Sequence, residues 1–167
     1  RLVGGFGNAE ILSFHATKFF STFEGGAVLT NDTDLNNRVR FLKNFGFRDY
    51  DDVGFLGING KMSEPAAAMG LASLPMMESR AGRFKEEYAI YCEKLGQVEG
   101  INILAVGENG HSNFRYIVIL VDEEQLGISR DLLYRILCKE NVIARRYFYP
   151  GCHRMEPYIS LYPDTYK

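Results

Sequence analysis

The chain has 167 residues, of which 46% are hydrophobic and 24% are charged, and its formal net charge is −2. This mixture is typical of globular proteins, and the balanced charge gives no reason to expect nucleic acid or an anionic membrane as partner. No apolar run approaches the roughly 18 residues of a membrane span, and no basic-then-apolar leader opens the sequence, so a cytoplasmic protein is expected. Three scattered cysteines, Cys92, Cys138 and Cys152, argue against a disulfide framework or a zinc site, and no metal is expected.

The first part of the chain is predicted to contain two short strands followed by a helix. Segment 10–14 is short and apolar, which is typical of a buried strand, and segment 27–30 has the pattern of a second strand. Asp32 or Thr33 can cap the N-terminus of the helix that follows, and Gly46 is expected to be its C-cap.

A loop and two further helices are predicted next. Residues 47–62 are rich in glycine and asparagine and are expected to form a loop. Ser63 and Pro65 are suited to the first turn of a second helix, which Pro75 interrupts. Residues 77–96 then show the pattern of a long amphipathic helix that ends at Gly96 or Gly100, and its charged half is most simply a solvated face.

The remainder of the chain has the pattern of a small α/β or α+β unit. Residues 114–121 are predicted to form a strand, 128–139 a helix capped by Ser129, and 141–146 a second short strand. The tail from residue 147 onward is rich in tyrosine and proline without clear periodicity, so an ordered loop is expected there.

One segment, 13–26 with the sequence SFHATKFFSTFEGG, suggests chemistry. Its lysine, Lys18, follows a predicted strand and has four neighbouring phenylalanines, which would exclude water and favour the neutral amine that imine formation requires. The segment also contains small hydroxyl residues that can donate to a phosphate, and two glycines that permit close backbone approach: Ser13, Thr17, Ser21, Thr22, Gly25 and Gly26. The alternative is an ordinary surface lysine beside core phenylalanines.

Residues 13–32, SFHATKFFSTFEGGAVLTND, closely resemble the signature of the DegT/StrS-type sugar aminotransferases, which are pyridoxal-phosphate enzymes of fold type I. The resemblance implies that Lys18 forms the Schiff base with pyridoxal phosphate and moves a proton, and that Ser13 contacts the cofactor phosphate. Residues 57–74, GINGKMSEPAAAMGLASL, resemble a second family segment, in which Asn59 would reach the phosphate of the neighbouring subunit's cofactor. A third segment, 144–158, resembles the part that closes over the substrate.

The resemblance also implies the architecture, namely an α/β chain from the C-terminal part of a longer enzyme. Residues 1–75 would be the end of the large cofactor-binding domain, and residues 76–167 a small α+β C-terminal domain with a long bridging helix. The missing N-terminal half would supply the aromatic that stacks on the pyridine ring and the aspartate that pairs with its nitrogen. Two departures from the family pattern are Asn8, where aspartate is common, and Pro65, which a first helical turn tolerates.

The implied activity is transamination of a nucleotide-linked keto-sugar, with glutamate as the amino donor. A dTDP-linked 4-keto-6-deoxyhexose giving a 4-amino sugar is expected, because the FHATK form of the motif favours 4-amino over 3-amino products. The pathway would be deoxysugar or O-antigen biosynthesis. A homodimer with a shared active site is expected from Asn59.

Four residues are candidates for the substrate side, namely His15, Arg146, Tyr147 and His153. His15 either contacts the cofactor region or is an ordinary structural histidine. His153 either faces the sugar or its phosphates or is simply an exposed loop residue. Arg145 and Arg146 can both pair with a diphosphate, but neighbours in a strand point to opposite faces, so only one is expected to do so.

Two rival functions remain open at this point. A pyridoxal-phosphate sugar dehydratase of similar fold would have histidine in place of the lysine, so the presence of Lys18 counts against it. A non-catalytic or incomplete module of the same fold is the other rival, supported by the absence of an N-terminal half.

Overall fold

The computed structural model describes residues 4–105 and 112–163. The chain divides into two compact units, Arg1–Arg83 and Phe84–Lys167, and the division falls within a long helix. The domain boundary near Pro75 therefore stays a prediction about the whole protein. Within the described ranges, no helix has the length and apolar character that a membrane crossing requires.

The first unit begins with an antiparallel hairpin of two strands, β1 (Glu10–Ser13) and β2 (Gly26–Leu29). Both strands lie where the sequence predicts them, but the predicted burial of β1 is wrong for this chain. Ile11 is 81% exposed and Val28 is 43% exposed, because a sheet of two strands cannot cover its own faces.

Helix α1 (Thr33–Leu42) follows β2 and begins at the predicted cap. The Asp32 carboxylate accepts hydrogen bonds from the backbone N–H groups of Asp34 and Leu35, at 2.9 and 3.0 Å. The C-cap is Lys43, so the prediction of Gly46 is wrong by three residues. The helix ends early because its last turn tightens: the Asn44 N–H donates to the carbonyl three residues back, at 3.0 Å.

The predicted loop over residues 47–62 contains a small hairpin, so that prediction is wrong for its first half. Strands β3 (Phe47–Asp49) and β4 (Asp52–Val53) pair antiparallel with an irregular register. Stacking of Phe41 on Phe55, with ring centroids 5.5 Å apart, links the hairpin region to α1.

Helices α2 (Glu64–Ser73) and α3 (Met77–Leu95) are separated by a short 3-10 turn, Leu74–Met76, which contains the predicted interruption at Pro75. Ser63 caps α2 as predicted, since its Oγ accepts from the Ala66 N–H. The buried face of α2 consists of small residues: Ala66, Gly70 and Ser73.

The described part of the second unit contains the C-terminal half of α3 and the shorter elements that follow it. The elements after α3 are β5 (Ile101–Ile103), β6 (Ile119–Val121), α4 (Glu123–Leu126), α5 (Arg130–Lys139), the 3-10 turn Cys152–Arg154 and α6 (Tyr158–Leu161). Strand β5 was not predicted, and β6 covers only the last three residues of the predicted strand 114–121. The predicted helix and its cap at Ser129 are confirmed.

The predicted strand 141–146 is wrong, because its backbone turns back instead of pairing. Asn141 has a φ of 62°, and the Val142 N–H donates to Leu137 O at the end of α5, at 2.8 Å. The tail was predicted to be a loop, but it contains the 3-10 turn and the short helix α6.

Candidate functional site

Residues 14–25, called the lysine loop below, connect β1 to β2 and form a closed, hydrogen-bonded structure. The Phe14 N–H donates to Gly25 O at 2.9 Å, and the Thr22 N–H donates to Phe14 O at 3.0 Å. Within the loop, the Lys18 N–H donates to His15 O at 2.9 Å, which fixes the turn that carries Lys18. The backbone of the candidate lysine is therefore held at a defined place beside the end of β1.

The Lys18 side chain is exposed, so the predicted aromatic wall around its amine is wrong for this chain. Phe14 and Phe20 pack edge-to-face on each other, with centroids 4.9 Å apart, and Phe23 is 57% exposed. Among the described residues, no carboxylate lies within ion-pair distance of Lys18. The amine is thus accessible to a ligand.

His15 is engaged within the lysine loop. Its Nδ1 accepts the Thr17 backbone N–H at 3.2 Å and lies 3.0 Å from the Thr17 Oγ1. Because Nδ1 accepts from an N–H group, the hydrogen-bond network assigns the ring proton to Nε2, which lies 3.5 Å from Glu24 Oε1. These contacts correspond to the structural alternative for His15, in which it links the two sides of the loop.

The hydroxyl groups of the loop differ in their availability to a phosphate. Ser13, at the end of β1, is exposed, and its Oγ accepts only a long 3.5 Å hydrogen bond from the His15 N–H. Its hydroxyl proton is therefore available for donation. Thr22 is 2% exposed and donates to Glu24 O at 2.8 Å, so the prediction that it serves a phosphate is wrong.

Gly25 permits a close approach, but to the protein rather than to a ligand. A Cβ atom at this position would lie 2.5 Å from Thr22 Oγ1 and 2.9 Å from Met62 Cε. Any larger residue would displace the buried Thr22 hydroxyl that closes the loop.

Two contacts from the helices support the back of the lysine loop, and the sequence did not reveal either of them. A Cβ at Gly70 of α2 would lie 2.9 Å from Thr22 Cγ2 and 3.5 Å from Phe20 Cζ. Arg80 of α3 donates from Nη1 to Phe19 O at 3.1 Å, across 61 positions of sequence. The charged half of α3 was interpreted as a solvated face, so Arg80 gave no local signal.

Asn59 is exposed and lies on a segment that is fixed against the end of α1. It forms an isolated antiparallel bridge with Asn44. The flanking amides of Ile58 and Gly60 donate to Leu42 O and Lys43 O, both at 2.8 Å. The contacts that fix Asn59 thus come from α1 and its C-cap.

In the second unit, Arg146 is already engaged by neighbouring side chains. Its guanidinium lies 5.3 Å from the ring centroid of Tyr134 and 4.6 Å from that of Tyr149, and its Nη1 is 3.5 Å from Asp131 Oδ1. Arg130 also stacks on Tyr149, at 4.4 Å, and contacts the same carboxylate oxygen at 2.8 Å. Hydrogen bonding from Arg130, aided by the charge of Arg146, lowers the pKa of Asp131.

The other residues predicted for the substrate side are more exposed than Arg146. Tyr147 packs on Tyr116 and Phe148, with centroids 5.9 and 4.3 Å away, yet stays 56% exposed. His153 lies exposed in the 3-10 turn Cys152–Arg154. Arg145 is exposed as well.

The described residues, 4–105 and 112–163, contain free thiols but no cluster of potential metal ligands. Cys92, Cys138 and Cys152 form no disulfide. In these ranges, no group of three histidine, cysteine, aspartate or glutamate side chains is arranged to hold a metal ion.

Comparison with known proteins gives consistent matches along the chain. A model of the DegT/DnrJ/EryC1/StrS aminotransferase family matches residues 1–166. A dTDP-4-amino-4,6-dideoxy-D-glucose transaminase of Shigella dysenteriae is 42% identical over 156 residues, covering 93% of this chain and 42% of the relative. An Escherichia coli protein of the same name is 40% identical over 139 residues, covering 83% of this chain and 37% of the relative.

A solved structure, DesI in the presence of its TDP-sugar product, superposes with a TM-score of 0.83 at 45% identity. The match covers 93% of this chain and 40% of DesI. The chain thus spans about two fifths of the length of these relatives. The matches confirm the resemblance, the α/β fold class of fold type I aminotransferases, and the family's cofactor, pyridoxal phosphate.

Proposed function

The chain belongs to the DegT/DnrJ/EryC1/StrS aminotransferase family, and we propose that it carries the cofactor-holding lysine, Lys18, of a nucleotide-sugar aminotransferase. The proposed reaction transfers an amino group from glutamate to a dTDP-linked 4-keto-6-deoxyhexose, giving a 4-amino sugar. The supporting observation is an exposed, unpaired amine on a turn whose backbone is hydrogen-bonded in place, within the signature segment 13–32.

The groups available at the lysine loop suit pyridoxal phosphate. Lys18 offers a primary amine, and Ser13 offers a hydroxyl whose proton is not committed to another acceptor. When bound, the cofactor supplies an electron sink for moving an amino group between carbon skeletons. Lys18 would hold the cofactor covalently and, once released, carry a proton on Nζ to and from the substrate carbon. Ser13 would donate a hydrogen bond from its Oγ–H group to the phosphate.

Asn59 supports a second part of the proposal, a homodimer whose active sites are shared. Its segment is exposed and its backbone is hydrogen-bonded to the end of α1, which fixes the backbone of Asn59 on the surface of the unit. An exposed side-chain amide on a fixed backbone is suited to donate a hydrogen bond to a phosphate held by a neighbouring subunit.

On the substrate side, we propose that Arg145, rather than the predicted Arg146, pairs with a diphosphate. The Arg146 guanidinium lies close to two tyrosine rings, and its Nη1 is paired with Asp131, so this side chain already has partners within the chain. Arg145 is exposed and can offer its planar fork to a phosphate. We propose His153 and Tyr147, which are exposed in the same segment, as further contacts for the nucleotide sugar.

The sugar proposal rests on the relatives. Two proteins that are 42% and 40% identical to the chain are named dTDP-4-amino-4,6-dideoxy-D-glucose transaminases. The dehydratase alternative has support only at the level of fold, since a GDP-4-keto-6-deoxy-D-mannose-3-dehydratase is 16% identical. Because the chain covers only about two fifths of the length of these relatives, the alternative function is an incomplete module, in which the 167 residues alone do not catalyse the reaction.

A transamination assay tests the proposal. A full-length protein that contains this chain is mixed with pyridoxal phosphate, glutamate and a dTDP-4-keto-6-deoxyhexose, and the aminated sugar is detected by mass spectrometry. We expect product from the wild type and from Lys85→Met, a control that removes another exposed lysine, in α3, outside the three segments that resemble the family. We expect none from Lys18→Met. Equal product from Lys18→Met and the wild type would refute the role of Lys18.

A further inference from the structure

Arg80 makes a contact that bears directly on Lys18. It lies in α3, is partly buried, and donates from Nη1 to the backbone carbonyl of Phe19, the residue that follows Lys18. Among the described residues, no carboxylate lies within ion-pair distance of Arg80. Its Nη1 group is therefore directed to the loop carbonyl rather than to a neighbouring anion.

The hydrogen bond completes a set of restraints on both sides of Lys18. On the N-terminal side, the Lys18 N–H donates to His15 O at 2.9 Å. On the C-terminal side, Arg80 holds Phe19 O at 3.1 Å. Two fixed points on either side of the Lys18 Cα limit its backbone rotation, and so set the direction in which the side chain leaves the loop.

We infer that Arg80 is a positioning residue for the reaction, which orients the Lys18 amine through the Phe19 carbonyl. The inference rests on the proposed function of Lys18. An arginine suits this task because its charged N–H donors form stronger hydrogen bonds than neutral donors. Misplacement of a reacting group by about 1 Å can cost roughly a hundredfold in rate, so a restraint at this point is expected to affect turnover.

The test compares three variants of a full-length protein that contains this chain. Arg80→Met removes the donors and keeps a long side chain, whereas Arg80→Lys keeps one charged donor. Lys85→Met is the matched control, because it removes an exposed positive charge from the same helix by the same kind of substitution.

The first measurement is backbone hydrogen exchange without cofactor, followed at the amides of Lys18 and Thr22. Loss of one charge-assisted hydrogen bond is expected to speed their exchange by roughly three- to tenfold in Arg80→Met, and not in Lys85→Met. The second measurement is catalysis. We expect kcat to fall by about tenfold or more in Arg80→Met, with KM for the sugar nucleotide within about twofold, and Arg80→Lys to recover part of the loss.

The outcomes separate this inference from the function on which it rests. Faster exchange with a lower kcat, together with partial recovery in Arg80→Lys, supports positioning by Arg80. Exchange that rises while kcat stays at the wild-type value overturns it, since Arg80 would then only stabilise the loop. Unchanged exchange overturns it as well. A wild-type protein in which Lys18 never takes up the cofactor refutes the proposed function instead, whatever the exchange of the variants.

Discussion

Substitution of Gly70 by alanine tests how the lysine loop is packed against α2. The new Cβ would lie 2.9 Å from Thr22 Cγ2, closer than real Cβ contacts allow, and 3.5 Å from Phe20 Cζ. Thr22 cannot rotate away cheaply, because its hydroxyl donates to Glu24 O at 2.8 Å and its side chain is almost fully buried. Either the helix or the loop must therefore move.

The expected change in stability combines two opposing terms. Replacing glycine by alanine in a helix favours folding by about 1 kcal/mol, because alanine loses less conformational entropy. Overpacking at a tight contact costs about 1–3 kcal/mol. The net effect of Gly70→Ala is therefore expected to lie between about zero and a destabilisation of about 2 kcal/mol.

Gly82→Ala is the matched control, since Gly82 lies within α3 and a Cβ there meets nothing within 4 Å. It is expected to stabilise by roughly 0.5–1 kcal/mol through helix propensity alone. Urea unfolding followed by circular dichroism measures both variants against the wild type. If Gly70→Ala stabilised the protein as much as Gly82→Ala, the close packing of α2 on Thr22 would be refuted.

Three further predictions concern the second unit and the proposed dimer. Arg130 lowers the pKa of the Asp131 carboxyl group, so the stabilisation from the Asp131 carboxylate is present above the unfolded pKa of about 3.9 and is lost as pH falls through the lower folded pKa. Asp131→Asn should therefore reduce the loss of stability on acidification, and a pH profile of urea unfolding that matches the wild type would contradict this. Ser129→Ala should cost about 1 kcal/mol by removing the cap of α5, measured by the same unfolding assay, whereas no loss would argue against the cap. If Asn59 contacts the cofactor of the neighbouring subunit, a mixture of the Lys18→Met and Asn59→Ala proteins should be more active than either protein alone. A mixture no more active than its components would argue against an active site shared between subunits.

Local chemistry explains which parts of the fold the sequence predicted well. The helix caps Asp32, Ser63 and Ser129 were predicted correctly, because a cap depends on residues two or three positions away. Strands depend on partners that local patterns do not identify. Residues 141–146 have an apolar, strand-like pattern, yet their backbone bonds back to the end of α5.

In the candidate site, too, features that depend on neighbouring residues could be predicted, whereas contacts between distant residues could not. The motif around Lys18 is contiguous, so its turn, its hydroxyls and its family were accessible from sequence. The sequence did not reveal that Thr22 is buried against Gly70, or that Arg80 reaches Phe19 O, because both contacts join residues far apart in the chain. Nor could it reveal the exposure of Lys18, since two of the phenylalanines expected to surround the amine, Phe14 and Phe20, pack on each other instead.

The most direct test of the central claim is to locate the cofactor on the protein. A full-length protein that contains this chain is incubated with pyridoxal phosphate, reduced with borohydride and digested, and the modified peptide is sequenced by mass spectrometry. The account predicts that the reduced cofactor is attached to Nζ of Lys18. A folded protein in which Lys18 is unmodified, or in which another lysine carries the cofactor, would contradict it.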